Sequence, residues 1–301
     1  MAKKSIVVRD QKRQRMILQY AAEDGSVVLV MAGEQLSEYQ ALEAMLLPSA
    51  NNMADSIAIW AFGSLANYSV YANQFVANLG LSHTHIGSDA SGFLPDTTSS
   101  SSDMVTLGLD VLQNPILAQI TSEAHATIPV AGIVNNVNWL LGQDGIFGIK
   151  TGNSDQAGGV YLFAAHDQLS ASHSLTIVGA LEGLPTLQIA LNDAVPLLNS
   201  VKANFTDSTV VQAGQVVGYY DTPWGSTASA IANNALTTIV WDGQTPQPML
   251  TLKPLRTPQF SGATVGTISL GLDSSGVSTP VTLSSNLSKP PLYWHIFRHK
   301  L

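Results

Sequence analysis

Residues 144–152 read Asp144-Gly145-Ile146-Phe147-Gly148-Ile149-Lys150-Thr151-Gly152. An apolar run between a turn signal and a polar end is the pattern of a strand. Gly158–Ala165 and Ser174–Glu182 follow after short loops, so the three predict consecutive antiparallel strands. Lys150 is the first basic residue after Arg15. A lysine at the end of an apolar strand is costly to bury without a partner. Its use there is to hold a carboxylate or to perturb a neighbouring hydroxyl. Gly152 lets a ligand backbone lie against the strand edge without meeting a Cβ.

A second stretch stands upstream: Leu46-Leu47-Pro48-Ser49-Ala50-Asn51-Asn52-Met53-Ala54-Asp55. Ser49 and Asn51, just after a helix stop, put a hydroxyl and an amide on one tight turn. Alone, Ser-x-Asn is an Asx-type turn or a helix cap, and Lys-Thr-Gly a strand end. The two in this order, with Ser49 and Lys150 101 positions apart, make a specific pattern.

Outward from these stretches the chain alternates helical and extended patterns. Residues 25–33 predict a short buried strand between glycines. Ser37, with Gln40 three residues on, opens a helix that Pro48 stops. Residues 54–66 and Tyr68–Leu79 predict two more helices, the latter closed by Gly80. His83–Asp96 reads as loop. The serines at 99–102 cap a helix from Asp103 to Leu112. Leu187–Val201 predicts a helix kinked or broken at Pro196. Residues 203–283, rich in Thr, Val, Gly and Ser without helical period, predict an all-β module.

The 301 residues carry 45% hydrophobic and 11% charged side chains, which excludes a disordered chain. A net charge of −8 argues against a nucleic-acid partner. The absence of cysteine excludes thiolate catalysis and Cys-ligated metal. His83 and His85 form an i, i+2 pair, too small a ligand set for a metal site, so neither metal nor cofactor is expected. Six of the 13 basic residues lie in the first 15 positions, and none lies between residues 16 and 149. Beyond residue 16 the chain has 7 basic and 20 acidic residues, so residues 1–22 read as a compositionally foreign basic segment. Ile17–Ala22 runs directly into Glu23-Asp24, which fits no signal peptide, and no stretch is long enough for a membrane span. His295, Arg298 and His299, with Trp294 and Phe297, predict an interfacial or frayed tail.

With these motifs the sequence resembles the serine D-alanyl-D-alanine carboxypeptidases, the low-molecular-mass penicillin-binding proteins, whose motifs are Ser-x-x-Lys, Ser-x-Asn and Lys-Thr-Gly. The flanks Gly33-Glu34-Gln35-Leu36-Ser37, Leu79-Gly80-Leu81, Ser91-Gly92-Phe93-Leu94-Pro95-Asp96 and Ala157-Gly158-Gly159 carry it further. It covers roughly residues 23–298. It implies an α/β (α+β) transpeptidase-like domain, with an antiparallel sheet flanked by helices, over residues 23–202. It further implies a C-terminal β domain over 203–288, with 289–301 as a tail. Residues 1–20 resemble instead the start of a small-subunit ribosomal protein.

The resemblance implies catalytic roles for Ser49, Asn51 and Lys150, and substrate binding by Lys150, Thr151 and Gly152. The implied substrate is a peptidoglycan stem peptide ending in D-Ala-D-Ala, in the cell envelope, with β-lactams as ligands if the nucleophile is restored. The first motif is missing: no Ser in the chain has a Lys three positions on. The nearest arrangement, Ser200 with Lys202, has the wrong spacing and follows the other motifs. The expectation is therefore a transpeptidase-like domain without its nucleophile segment, inactive as an enzyme. The alternative is a non-catalytic module that binds peptidoglycan or a partner. A class A β-lactamase fits less well, because no Glu-x-x-x-Asn loop precedes Lys150.

Overall fold

The computed structural model describes residues 5–7, 11–171, 173–271 and 277–297. Met1–Lys4, Arg9, Arg298 and His299, invoked above for the basic segment and the tail, lie outside them. The chain divides into two units, one running to Asp167 plus Leu175–Ser200, the other Gln168–Ser174 plus the chain from Val201.

The first unit is helices around a three-stranded antiparallel sheet. Its strands β5 (Ile146–Ser154), β6 (Gly158–Gln168) and β7 (Ser174–Leu184) lie in the order β5-β6-β7. Tyr161 and Phe163 are fully buried on β6, the central strand. Helix α5 (Ser101–Gln113) packs on this sheet, its N-terminus capped by Ser100 as the serine run predicts. A Cβ on Gly108 would stand 3.0 Å from Val178 and 3.1 Å from Leu162, so glycine there sets how closely α5 approaches the strands.

Ahead of the sheet, strand β1 (Ser5–Val7) is followed by α1 (Gln11–Ala22), then strand β2 (Gln35–Ser37) by α2 (Glu38–Leu46), α3 (Asn51–Phe62) and α4 (Leu65–Asn78). Ser37 and Gln40 form the full capping box that the sequence predicts for α2. Gly63, at φ 82°, ends α3 in the left-handed region. The compositional break after residue 16 is not a break in the fold. β1 pairs antiparallel with β2, Ile6 is buried against Leu36 and Met53, and Tyr20 of α1 bonds Asp55 of α3.

Three expectations need correction. Residues 25–33 do not form a strand. Val28 and Val30 are buried, but the backbone is irregular because the side chain of Asn52 takes the place of a strand neighbour. Asn52 Oδ1 accepts from Val28 N–H at 3.0 Å and Asn52 Nδ2 donates to Val28 C=O at 3.0 Å. Helix α7 (Leu187–Lys202) runs through Pro196 without a break, held by buried Ala190, Leu191, Ala194 and Leu198. Between α5 and β5, the sequence reading missed helix α6 (Pro115–Ser122) and the hairpin of β3 (His125–Ile128) with β4 (Gly132–Asn135). Four-residue strands are too short to show a period.

In the second unit, β8 (Phe205–Val211) pairs with β11 (Leu236–Trp241). Strands β9 (Val216–Asp221), β10 (Thr227–Ala232), β12 (Met249–Leu252), β13 (Thr264–Leu270) and β14 (Val277–Leu283) form a sheet in the order β12-β13-β14-β10-β9. Val211, Ala230, Leu236, Val265 and Val281 make its core. His173 shares the Asp207 carboxylate at 2.8 Å within this unit.

The Asn52 clamp is testable. Asn52→Ala leaves two buried main-chain groups of Val28 unsatisfied and should cost about 2–4 kcal/mol. Urea denaturation should show a lower midpoint with unchanged slope; an unshifted midpoint refutes the clamp.

Candidate active site

Pro48 ends α2, and the chain turns at Ser49 before α3 starts at Asn51. Ser49 has φ 62°, a left-handed conformation that costs a non-glycine residue roughly 1–2 kcal/mol. The turn is held from both sides: Asn51 N–H donates to Ser26 C=O at 2.9 Å, and Val137 N–H to Leu47 C=O at 3.0 Å. Such strain persists only where the surroundings over-determine it. Here it aims the Ser49 hydroxyl at β5.

Lys150, near the middle of β5, meets it. Its Nζ donates to Ser49 Oγ at 2.6 Å and to the carbonyl of Thr151 at 2.6 Å. Among the described residues no carboxylate lies within ion-pair distance of Lys150. Burial disfavours the charged form and pulls its pKa down to about 8. A desolvated ammonium with two neutral acceptors is a strong anchor for an incoming anion.

Ser49, Asn51, Lys150, Thr151 and Gly152 all line one cleft of about 830 Å³. The structure thus places in one cleft all five residues to which the resemblance gives catalytic or binding roles. Thr151 is buried. Gly152 also has a packing role: a Cβ there would stand 2.6 Å from Val160 Cγ2 on the neighbouring strand.

Sequence reasoning missed the other walls. Asp24, Gly25 and Ser26 form one, directly after α1. Asp55 braces another: Tyr20 Oη donates to its Oδ2 at 2.7 Å and Ala90 N–H to its Oδ1 at 2.9 Å. Burial raises the Asp55 carboxyl above the ordinary range. Asp89 gathers the N–H groups of Ser91 and Phe93 at 3.0 and 3.1 Å, and Phe93 packs edge-on against Tyr20. Glu182 of β7 closes the far end, where Ser101 Oγ donates to it at 3.2 Å. The one available signal was that Asn51 and Asp55 share a helix face at i, i+4. No group of three or more His, Asp or Glu residues that could hold a metal occurs among the described residues.

A strand-borne lysine thus bonds the serine of a strained turn within one cleft. The chain belongs to the D-alanyl-D-alanine carboxypeptidase family, whose model matches residues 5–178. It is 22% identical over 266 residues to D-alanyl-D-alanine carboxypeptidase DacA of Haemophilus influenzae, covering 85% of this chain and 66% of that protein. It is 31% identical over 144 residues to D-alanyl-D-alanine carboxypeptidase DacB2 of Mycobacterium tuberculosis, covering 45% of this chain and 48% of that one. The chain thus spans less than two thirds of these relatives' lengths. Among solved structures it is similar to penicillin binding protein 5 from Haemophilus influenzae, with TM-score 0.63, 20% identity, and 95% and 83% of the two chains covered. It is also similar to the D-alanyl-D-alanine carboxypeptidase DacD from Francisella tularensis, with TM-score 0.58, 18% identity, and 96% and 82% covered. Both share its fold. The family match includes the basic N-terminal stretch from residue 5.

The depressed lysine has a sign. The unfolded chain holds a proton on Lys150 up to the ordinary lysine range, the folded chain only up to about 8, so stability rises as pH climbs through that window. Lys150→Met should therefore gain on the order of 1–3 kcal/mol at pH 7 and flatten that rise. Thermal melts from pH 6 to 10 check it, and a destabilised Lys150→Met at pH 7 refutes it.

Proposed function

We propose that the cleft is the substrate-anchoring part of a serine-type D-Ala-D-Ala carboxypeptidase site, acting on peptidoglycan stem peptides in the cell envelope. The observation that carries this reading is the 2.6 Å contact from Lys150 Nζ to Ser49 Oγ, with no carboxylate among the described residues to neutralise the lysine. The terminal carboxylate of the peptide takes the ammonium of Lys150, beside Thr151. Asn51 holds the peptide amide. Ser49 receives a hydrogen bond from Lys150, which leaves its own O–H directed elsewhere and able to pass a proton to a leaving amine. Gly152 keeps the strand edge open to peptide backbone.

Cleavage also needs a nucleophile with an adjacent base, and no Ser-x-x-Lys occurs in the 301 residues. In our reading this chain binds the peptide and does not form an acyl-enzyme. β-Lactams become covalent ligands only when that motif is supplied. The same observations favour, as the second reading, a non-catalytic peptidoglycan-binding module. Among the described residues no helix is long and apolar enough to cross a membrane.

Incubation with a fluorescent penicillin should give no covalent band on a denaturing gel. Joining a Ser-x-x-Lys segment of the family to the chain with residues 1–22 retained should restore labelling and release of D-Ala, and Lys150→Ala in that protein should abolish turnover. A labelled serine mapped by mass spectrometry in the unmodified chain refutes the non-acylating reading. Absence of binding to a D-Ala-D-Ala peptide refutes the anchor.

A further inference from the structure

Two buried carboxylates brace the cleft wall formed by Ser91, Gly92 and Phe93. Asp55 of α3 is 3% exposed, and Asp89, in the loop between α4 and α5, is 2% exposed. Among the described residues no Lys, Arg or His lies within ion-pair distance of either. Both grip the main chain of the same short stretch. Asp55 Oδ1 accepts from Ala90 N–H at 2.9 Å, and Asp89 Oδ2 accepts from Ser91 and Phe93 N–H at 3.0 and 3.1 Å. Two negative charges with neighbouring grips, away from water, repel each other.

The two are not equally provided for. Asp89 has two more donors, Leu94 N–H at 3.4 Å and the Ser91 hydroxyl. Asp55 has, besides Ala90, only Tyr20 Oη at 2.7 Å. The titratable groups facing Asp55 are Tyr20 of α1, Tyr68 of α4 and Asp89, and none of them brings a positive charge. Burial holds the Asp55 carboxyl above the usual range, although the bonds from Tyr20 and Ala90 relieve it in part. When Asp55 takes a proton, Oδ1 still accepts from Ala90, and the new O–H is donated to Tyr20 Oη, whose own hydrogen turns away. Both grips persist and the repulsion is gone. Opening of the wall exposes Asp55 to water and returns it to the ordinary range. The closed wall therefore binds the proton more tightly than the open one, and closure is favoured as the pH falls.

We propose that Asp55 is a positioning residue whose proton holds the stretch from Ala90 to Phe93 in place, so that this wall of the cleft is firm in mild acid and loosens toward neutral pH. Asp55 lines no part of the cleft itself. Its effect on a bound peptide passes through the wall, and that part rests on the reading of the cleft as a peptide site. Lys150, with its pKa near 8, stays charged across this window, as does a peptide carboxylate.

Amide hydrogen exchange followed by NMR from about pH 4.5 to 7.5 tests it, each rate being divided by that of an unstructured peptide at the same pH. Protection at Ala90, Ser91 and Phe93 should fall about three- to tenfold across the range, the scale of one charge interaction acting on a local opening. Asp55→Asn accepts from Ala90 and donates to Tyr20 Oη as the protonated acid does, so it should keep the protection and lose the pH dependence. Tyr20→Phe removes a donor to the ionised form, so the fall should begin at higher pH. Melting temperatures show that both variants are folded. In isothermal titration calorimetry the native chain should bind Nα-acetyl-D-Ala-D-Ala about threefold more tightly at pH 5 than at pH 7, and Asp55→Asn equally at both. No pH dependence of exchange in the native chain, or the same dependence in Asp55→Asn, overturns the assignment of Asp55. The exchange measurement needs no ligand, so it decides the role of Asp55 separately from the peptide, whose failure to bind the native chain refutes the Lys150 anchor instead.

Discussion

One desolvated charge organises the first unit. Lys150 is the single Lys or Arg between Arg15 and Lys202, and it is held among neutral groups. Each of its two acceptors is set by a different part of the chain. Thr151 C=O comes from the sheet itself. Ser49 Oγ comes from a turn forced into the left-handed region. A buried ammonium tolerates neither the loss of these acceptors nor easy replacement of them by water. The turn between α2 and α3 and the register of β5 on β6 are therefore linked through one nitrogen. The energetic cost of that nitrogen is the counterpart of its readiness to meet an anion, as in other sites where strain and burial coincide with chemistry.

Much of this was legible in the sequence. The three sheet strands were readable because each is a long apolar run ended by glycine or polar residues. The start of α2 was readable because Ser37 and Gln40 form a reciprocal cap whose chemistry is local. Ser49, Asn51 and Lys150 stood out because their residue types are unusual beside their apolar neighbours. What failed depended on distant partners. Residues 25–33 have the composition of a strand, and only the side chain of Asn52, 24 positions from Val28, decides that they are not one. Pro196 has the character of a helix breaker, and the buried alanines and leucines around it outweigh that preference. Asp24, Asp55 and Glu182 are ordinary acidic residues in sequence and acquire meaning only through what faces them.

The basic N-terminal stretch shows the difference between composition and structure. Its lysines and arginines set it apart from everything that follows, yet Ile6 enters the core and Tyr20 reaches Asp55. Apolar residues at the right spacing suffice to bring a segment into a fold, whatever charges accompany them. Through Tyr20 and Phe93 that stretch also supports the loop beside the cleft, so its removal affects the site as well as the core.

The grip of Asn52 on Val28 is made entirely to main-chain atoms. Such a grip does not read which side chain follows from them. The path of the segment just after the cleft wall at residues 24–26 is thus recorded on α3, in a different part of the gene from the wall's own residues. Its surface chemistry is left open to drift, and one half of the cleft can change what it selects over evolutionary time while the anchoring half stays as it is.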